Sequence, residues 1–230
     1  NLAVNEGFLE TAVLRENVVK LARMIGYTPK SARSARTTCN IAVQTAFPYP
    51  KSVTISAGLV LNFTGLDNNN FVFSIPTDTS QSVDSLTGIA TFSNTVLFEG
   101  LFLTDTFVKD TTQRQRFILT NDKVDTTSMI VEVTSGTITE KYLQATDITK
   151  IDSTSKVFFL EESEYQIPEI LFGDGVIGKA LTNGDVVTVR YTTSSGNGAN
   201  GLKVFENIGT YRDNAGNAIS SGITVTAVSF

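Results

Sequence analysis

The glycines between Phe172 and Lys179 are the first place to look for chemistry. Gly173, Gly175 and Gly178 are spaced as G-x-G-x-x-G, and Gly173 to Lys179 also spells G-x-x-x-x-G-K. Loops of these kinds hold phosphates by aiming backbone N–H groups, a lysine and the N-terminus of a following helix at one point. A second G-x-G-x-x-G follows at Gly196, Gly198 and Gly201. A P-loop carries Ser or Thr after its lysine, to bind magnesium, and position 180 is Ala. No helix fits between Leu181 and Asn183-Gly184, and the segment behind the second motif, residues 202–209, is short and β-like. A kinase-type glycine loop is a hairpin, but no H-R-D or D-F-G accompanies this one. Read as turns, the same residues need no ligand. Asp174-Gly175 and Asn183-Gly184 lie between β-formers, where such pairs supply positive φ at low cost. Residues 164–191 are therefore expected to form a strand meander, with Gly173, Asp174, Gly175, Gly178, Asn183 and Gly184 as structural turn residues.

Carboxylates are the other candidates. Glu161, Glu162 and Glu164 cluster ahead of the meander, and Asp174 and Asp185 lie on its turns. Two carboxylates at suitable separation can hydrolyse a glycosidic bond, so a carbohydrate-binding or carbohydrate-cleaving module is the alternative reading of this stretch. Against it, the chain has no Trp to stack on sugars, and turn chemistry already accounts for Asp174 and Asp185. Histidine is absent, which removes Ser-His-Asp and Cys-His catalysis and imidazole metal sites. Cys39 is alone, so no internal disulfide forms. Asn62-Phe63-Thr64 matches a glycosylation acceptor, but nothing marks the chain as secreted. No catalytic residue, cofactor or metal is expected.

These residues must be positioned by strands. From Thr38 onward the apolar period is two: Cys39, Ile41 and Val43 alternate with Asn40, Ala42 and Gln44, which turns Cys39 inward as a small hydrophobe. Short β-rich runs recur at 53–55, 59–63, 71–75, 89–92, 95–98, 101–108, 116–119, 129–133, 139–143, 157–160, 203–208 and 222–230. Between them lie turn residues, including a polar loop over 77–88. The fold class is mainly β, multi-module, antiparallel and sandwich-like, with one N-terminal α-helix. Residues 6–25 are that helix, with Asn5 as N-cap, Gly26 at the C-terminal position and Pro29 beyond. Leu14, Val18, Leu21 and Ile25 form one apolar stripe, and Phe8, Ala12, Val19 and Ala22 a second. A helix apolar on two sides is buried on two sides, and one of them suits a partner subunit. Residues 26–37 read as a basic linker or extended arm. The divisions expected are 1–37 (helix and arm), 38–95 (first β module), 96–205 (second β module with the glycine hairpin) and 206–230 (closing strands that return to the first module).

Composition narrows the partners. The 230 residues are 41% hydrophobic and 18% charged, as in a globular protein with a substantial core. No apolar run is long enough to cross a bilayer as a helix, so no membrane partner is expected. The first 36 residues carry six basic groups against three acids. That is +3, which leaves −8 for the rest of a chain whose total is −5. The basic front lacks interleaved aromatics and the acidic body repels phosphate, so no nucleic acid is expected. The first residue is Asn, as in a piece of a longer protein.

Two motifs together resemble one family. Residues 8–19, then Leu21-Ala22 and Gly26-Tyr27-Thr28-Pro29-Lys30-Ser31, are similar to the N-terminal segment of the baseplate J-like family of contractile tails. Residues 171–179, followed by Asn183-Gly184 and Val189-Arg190-Tyr191, look like that family's second signature. Glu99-Gly100, Arg116-Phe117-Ile118-Leu119 and Val124-Asp125 fit between them in order. The likeness spans residues 4–205, and the family's wedge proteins are much longer. It implies a non-enzymatic structural subunit of the virion, assembled in the host cytoplasm. Its partners would be a second copy of itself and other baseplate wedge proteins. It also implies that Phe8, Leu14, Val18, Leu21 and Ile25 lie near a helical interface between subunits.

Overall fold

The computed structural model describes residues 6–8, 10–14, 17, 18, 21, 22, 31, 33–64, 69–112, 116–163, 167–193, 196–199 and 205–229. Among these the chain is mainly β. The strands are β1 (Arg36–Gln44), β2 (Ser52–Ile55), β3 (Gly58–Thr64), β4 (Asn70–Ile75), β5 (Thr79–Ser82), β6 (Ile89–Glu99), β7 (Phe102–Val108), β8 (Phe117–Ile118) and β9 (Ile130–Ser135). They continue with β10 (Ile138–Gln144), β11 (Val157–Glu162), β12 (Pro168–Phe172), β13 (Val186–Thr192), β14 (Phe205–Asn207), β15 (Tyr211–Asp213), β16 (Ala218–Ile219) and β17 (Ile223–Ser229). Two compact units interleave along the sequence. One comprises Arg33–Thr104, Thr127–Met129 and Arg190–Phe230; the other comprises Asn1–Ala32, Asp105–Thr126 and Ile130–Val189. Strand β6 runs unbroken through residues 95 and 96, and residues 206–230 supply β15, β16 and β17 to the first of these units.

That unit is a sandwich. Its larger sheet has the order β14-β3-β4-β6-β1-β17 and its smaller one β16-β15-β2-β5. Side chains alternate across a strand, so each sheet offers one apolar face. Cys39, Ile41 and Val43 of β1 and Phe63, Phe73 and Phe92 of β3, β4 and β6 meet Val53 and Ile55 of β2 and Tyr211 of β15 in one core. Burial pushes the Cys39 thiol pKa up. It also pushes the Tyr211 phenol up to about 12, although the hydroxyl donates to Asn207 Oδ1 at 2.8 Å. The basic arm is shorter than the sequence suggests, because its last residues are part of this unit. Ser34 is buried with its Oγ 2.9 Å from Thr192 Oγ1, the Ala35 amide donates to Glu99 Oε2 at 3.3 Å, and the Arg36 guanidinium lies 4.7 Å from the Phe98 ring centroid.

The second unit is built on a seven-stranded sheet of order β7-β13-β9-β10-β11-β12-β8. It is mixed: β10 and β11 run parallel, with Leu143 opposite Val157, while β9–β10, β11–β12 and β12–β8 are antiparallel. Val131, Val133, Val187, Val189, Phe158 and Ile170 are buried. A run of edge-to-face rings links Phe107, Phe117, Phe172 and Tyr142 at centroid separations of 5.6, 5.4 and 5.5 Å. That geometry sets the positive ring edge against the negative face.

The expected helix over 6–25 does not begin at residue 6. Residues 6–8, 10, 11 and 14 are turns or bends, residues 12 and 13 have no regular structure, and Asn17, Val18, Leu21 and Ala22 are helical. The Glu6 side chain is the physical reason. Its carboxylate accepts from the amides of Val13 at 3.0 Å and Leu14 at 3.2 Å and from Asn17 Nδ2 at 2.8 Å, in the manner of an N-terminal cap. The chain folds back so that Glu6 sits ahead of the helical turn rather than within it. The proposed cap Asn5 and the stripe residue Ile25 lie outside the described residues.

Ile41 is fully buried at the centre of the sandwich, whereas Phe47 is 84% exposed. Ile41→Ala is expected to lower unfolding free energy by about 2–5 kcal/mol, and Phe47→Ala to change it by about 0.5 kcal/mol or less. Urea unfolding followed by far-ultraviolet circular dichroism tests both.

Candidate functional site

Strand β12 ends at Phe172 and β13 starts at Val186, and the glycine motif fills the connection. It is not the hairpin that the Asp-Gly and Asn-Gly pairs suggest. In the sheet β12 lies between β11 and β8, and β13 lies between β7 and β9, so the two strands do not pair. Gly175, Gly178 and Gly184 have φ of +89°, +85° and +87°, but neither Asp174 nor Asn183 has positive φ. A two-residue type I′ turn needs it at both central positions.

The Asp174 side chain explains the difference. Its Oδ1 accepts from the amides of Val176 and Ile177, both at 2.9 Å, and curls the chain into a closed loop. These bonds hold its carboxyl below the usual range. Gly173 and Ala180 close the loop as an isolated parallel bridge. At the neck, a Cβ on Gly173 would lie 2.2 Å from the Gly178 carbonyl, so two stretches of backbone touch where no side chain fits. The Asn183-Gly184 turn is separate. Asp185 N donates to Thr182 O at 3.1 Å, and Asn183 Oδ1 accepts from Thr111 N at 3.0 Å. Burial pushes the Asp185 carboxyl up, but bonds from Ser135 and from the Thr182 amide and hydroxyl outweigh it and leave it lowered.

The donors a phosphate would need are already taken. Gly175 N bonds Gly178 O at 3.0 Å, Gly178 N bonds Asp152 O at 2.9 Å and Lys179 N bonds Ser155 O at 2.8 Å. Lys179 Nζ pairs with Glu140 Oε2 at 2.8 Å, and Lys156 pairs with Glu140 Oε1 at 2.8 Å. The two lysines, Lys156 first, draw the Glu140 pKa down, and Glu140 raises that of Lys179. Asp152 anchors the loop from below. Its Oδ1 accepts from Ser155 Oγ at 2.8 Å and from Thr154 N and Oγ1 at 2.9 Å, and these bonds bring its pKa down to about 2. In the second glycine motif, Gly196–Ala199 form a 3₁₀ turn, and Gly201 lies outside the described residues.

The carboxylate candidates divide. Glu161 is exposed on β11, Glu162 is half-buried beside it, and Glu164 lies outside the described residues. Glu161 stands opposite Glu169 of β12. Both line an open cleft of about 590 Å³ together with Lys109, Arg116, Phe117 and Phe172. The pairing that matters here is one the sequence reading missed. Arg116 Nε donates to Glu169 Oε1 at 2.8 Å and its Nη2 to Oε2 at 2.5 Å, a two-pronged bond that engages both carboxylate oxygens. The signal for it was a lone acid in the apolar run Ile167–Phe172. A hydrolytic pair needs one carboxylate able to attack or to hold a proton, and Glu169 is held as the partner of an arginine instead. Among the described residues, no three His, Cys, Asp or Glu side chains gather as a metal-binding group.

The residues assigned to the helical interface also divide. Phe8 and Leu14 are exposed, Val18 and Leu21 are half-buried, and Ala22 is buried. Compared with models of known families and with characterised proteins, the chain gives no significant match.

Gly173→Ala is expected to destabilise the protein by about 1–3 kcal/mol, because backbone must move to admit the methyl group. Gly184→Ala has open space around it and should cost only about 1 kcal/mol, from its positive φ. Thermal melts of the two variants check the order. The lowered pKa of Asp152 gives a pH dependence with a definite sign. A carboxylate whose folded pKa lies below its unfolded value, near 3.8, stabilises fully above pH 4, and that contribution is lost as pH falls toward 2. The protection factors of the Gly178 and Lys179 amides should fall over this window, and Asp152→Ala should lower them at neutral pH.

Proposed function

We propose that this chain is a structural subunit of a contractile phage tail baseplate. It would hold neighbouring wedge subunits together around the hub and rearrange when the sheath contracts. In its motifs it resembles the wedge protein of T-even-like tails. Its partners on this reading are a second copy of itself and other wedge proteins, and its place is the virion.

One observation carries the assembly part of the reading. Phe8, Val13 and Leu14 are 64%, 83% and 57% exposed within seven residues of each other. Burying such side chains against a partner contributes about 1.5–3 kcal/mol each, and exposed apolar groups close in sequence are a common mark of a contact surface. The engaged donors of the 173–180 loop support a structural role for that loop over phosphate binding.

The test is the solution mass by light scattering over a concentration series, comparing the chain with Phe8→Ser/Leu14→Asp. Point variants are better than deleting residues 1–37, because Ser34 to Thr37 belong to the sandwich. The variant is expected to lower the associated fraction with its circular dichroism unchanged. An unchanged mass at every concentration would overturn the interface assignment.

A further inference from the structure

We infer that the outer edge of β17 is a strand-addition site for a second copy of this chain, the two β17 strands pairing antiparallel about a two-fold axis. Among the described residues β17 ends the six-stranded sheet, with β1 on one side only. Which backbone groups point outward follows from the register. Gln44 N donates to Gly222 O at 2.9 Å, and the next pairs are Val43–Ile223, Ala42–Thr224, Ile41–Val225, Asn40–Thr226 and Cys39–Ala227. Antiparallel pairs alternate between bonded and non-bonded. Thr224 and Thr226 therefore bond toward β1, and the N–H and C=O groups of Ile223, Val225 and Ala227 point away from it.

Such an edge is a template for another strand unless it is protected by shortness, charge, proline or an inward acid. The other sheet ends are protected in these ways. Among the described residues β14 has three, β16 and β8 two each, and β5 four. β7 has seven, but it carries the buried Asp105, whose carboxylate accepts from Thr120 N and Oγ1 at 2.8 Å. β17 has seven residues, and residues 214–230 include no Asp, Glu, Lys, Arg or Pro. Its irregularity falls at the far end, near Val228, and leaves the preceding register regular.

The same features select the occupant. In an antiparallel self-pair, residue i faces residue j with i + j constant, so a charged strand sets like charges near each other. β17 is neutral throughout, in a chain whose net charge is −5. Ile223, Val225 and Ala227 pack against the core but are only partly buried. An identical strand would continue that stripe with the same apolar side chains and would close at two copies. The choice of a second copy rests on the assembly reading above; the geometry of the edge does not.

The experiment uses the full chain in sedimentation velocity. Val225→Pro removes an outward donor and leaves the bonds to β1, and Thr226→Lys adds a charge on an exposed position. Each is expected to weaken self-association roughly tenfold or more at unchanged circular dichroism. Single cysteines at Thr224, Thr226 and Val228 supply an independent readout, since Cys39 is buried. One of the three, or two neighbouring ones equally where the axis passes through Val225 or Ala227, should cross-link copies under mild oxidation far more than the rest, because the two-fold axis fixes one register. Equal cross-linking at all three, wild-type association in both edge variants, or a wild-type chain that is monomeric throughout overturns the inference. If the edge variants associate normally while Phe8→Ser/Leu14→Asp does not, the edge inference falls and the N-terminal interface stands; the reverse pattern removes the N-terminal interface alone.

Discussion

Strand β1 is held on both sides by segments far from it in sequence, and the sandwich depends on that. Residues Arg36–Gln44 pair with β6 along their length, and Thr38–Val43 pair with β17. Both ladders fix the same alternation, so Cys39, Ile41 and Val43 have no exposed surface. A slip of one residue in either pairing would turn all three to solvent. Gly222 secures the last ladder at its start. With φ of +73° and a would-be Cβ 2.8 Å from Gln44 O, it lets β17 arrive in contact with the end of β1.

Much of this architecture is legible in the alternation of residues. β1, β2, β9 and β13 have buried apolar positions spaced by two, and their sequences show it. What escaped was of two kinds. β5, with sequence Thr-Ser-Gln-Ser, carries no apolar residue and reads as loop, because its inclusion comes from backbone pairing to β2 rather than from burial. β15 and β16 are three and two residues long, below any period, and are strands only because β2 offers β15 an edge and β15 offers one to β16. The partition into units was hidden for a related reason: composition changes along the chain report neighbours in sequence, while these units are set by pairings between distant segments.

The glycine loop shows how spacing and chemistry separate. The residues that imitate a phosphate loop are present at the right intervals, but local acceptors have closed the circuit. Asp174 accepts from two amides, main-chain carbonyls of Asp152, Ser155 and Gly178 accept from three, and Glu140 takes the lysine. Asp174 and Gly178 belong to the motif itself, but Asp152, Ser155 and Glu140 lie more than fifteen residues before it. The Asp-Gly pair was read correctly as a turn and incorrectly as a hairpin, since an aspartate can satisfy a turn with its side chain as well as with its backbone conformation. Arg116 and Glu169 teach the same lesson in the cleft, where the decisive partner of an acid was found by pairing across strands rather than by clustering in sequence.

The closure of the sandwich by β17 has a consequence for synthesis on the ribosome. β17 is made roughly 180 residues after β1 is complete, which at about 5–20 residues per second is an interval of roughly 10–40 s. Throughout that interval the side of β1 that will receive β17 is unmatched, and its neighbour β6 can cover only the other. A nascent chain in this state presents an apolar strand with an open hydrogen-bonding edge. That is the type of segment that holdase chaperones bind, so the order in which the ribosome delivers the strands makes the early part of this chain a natural chaperone client.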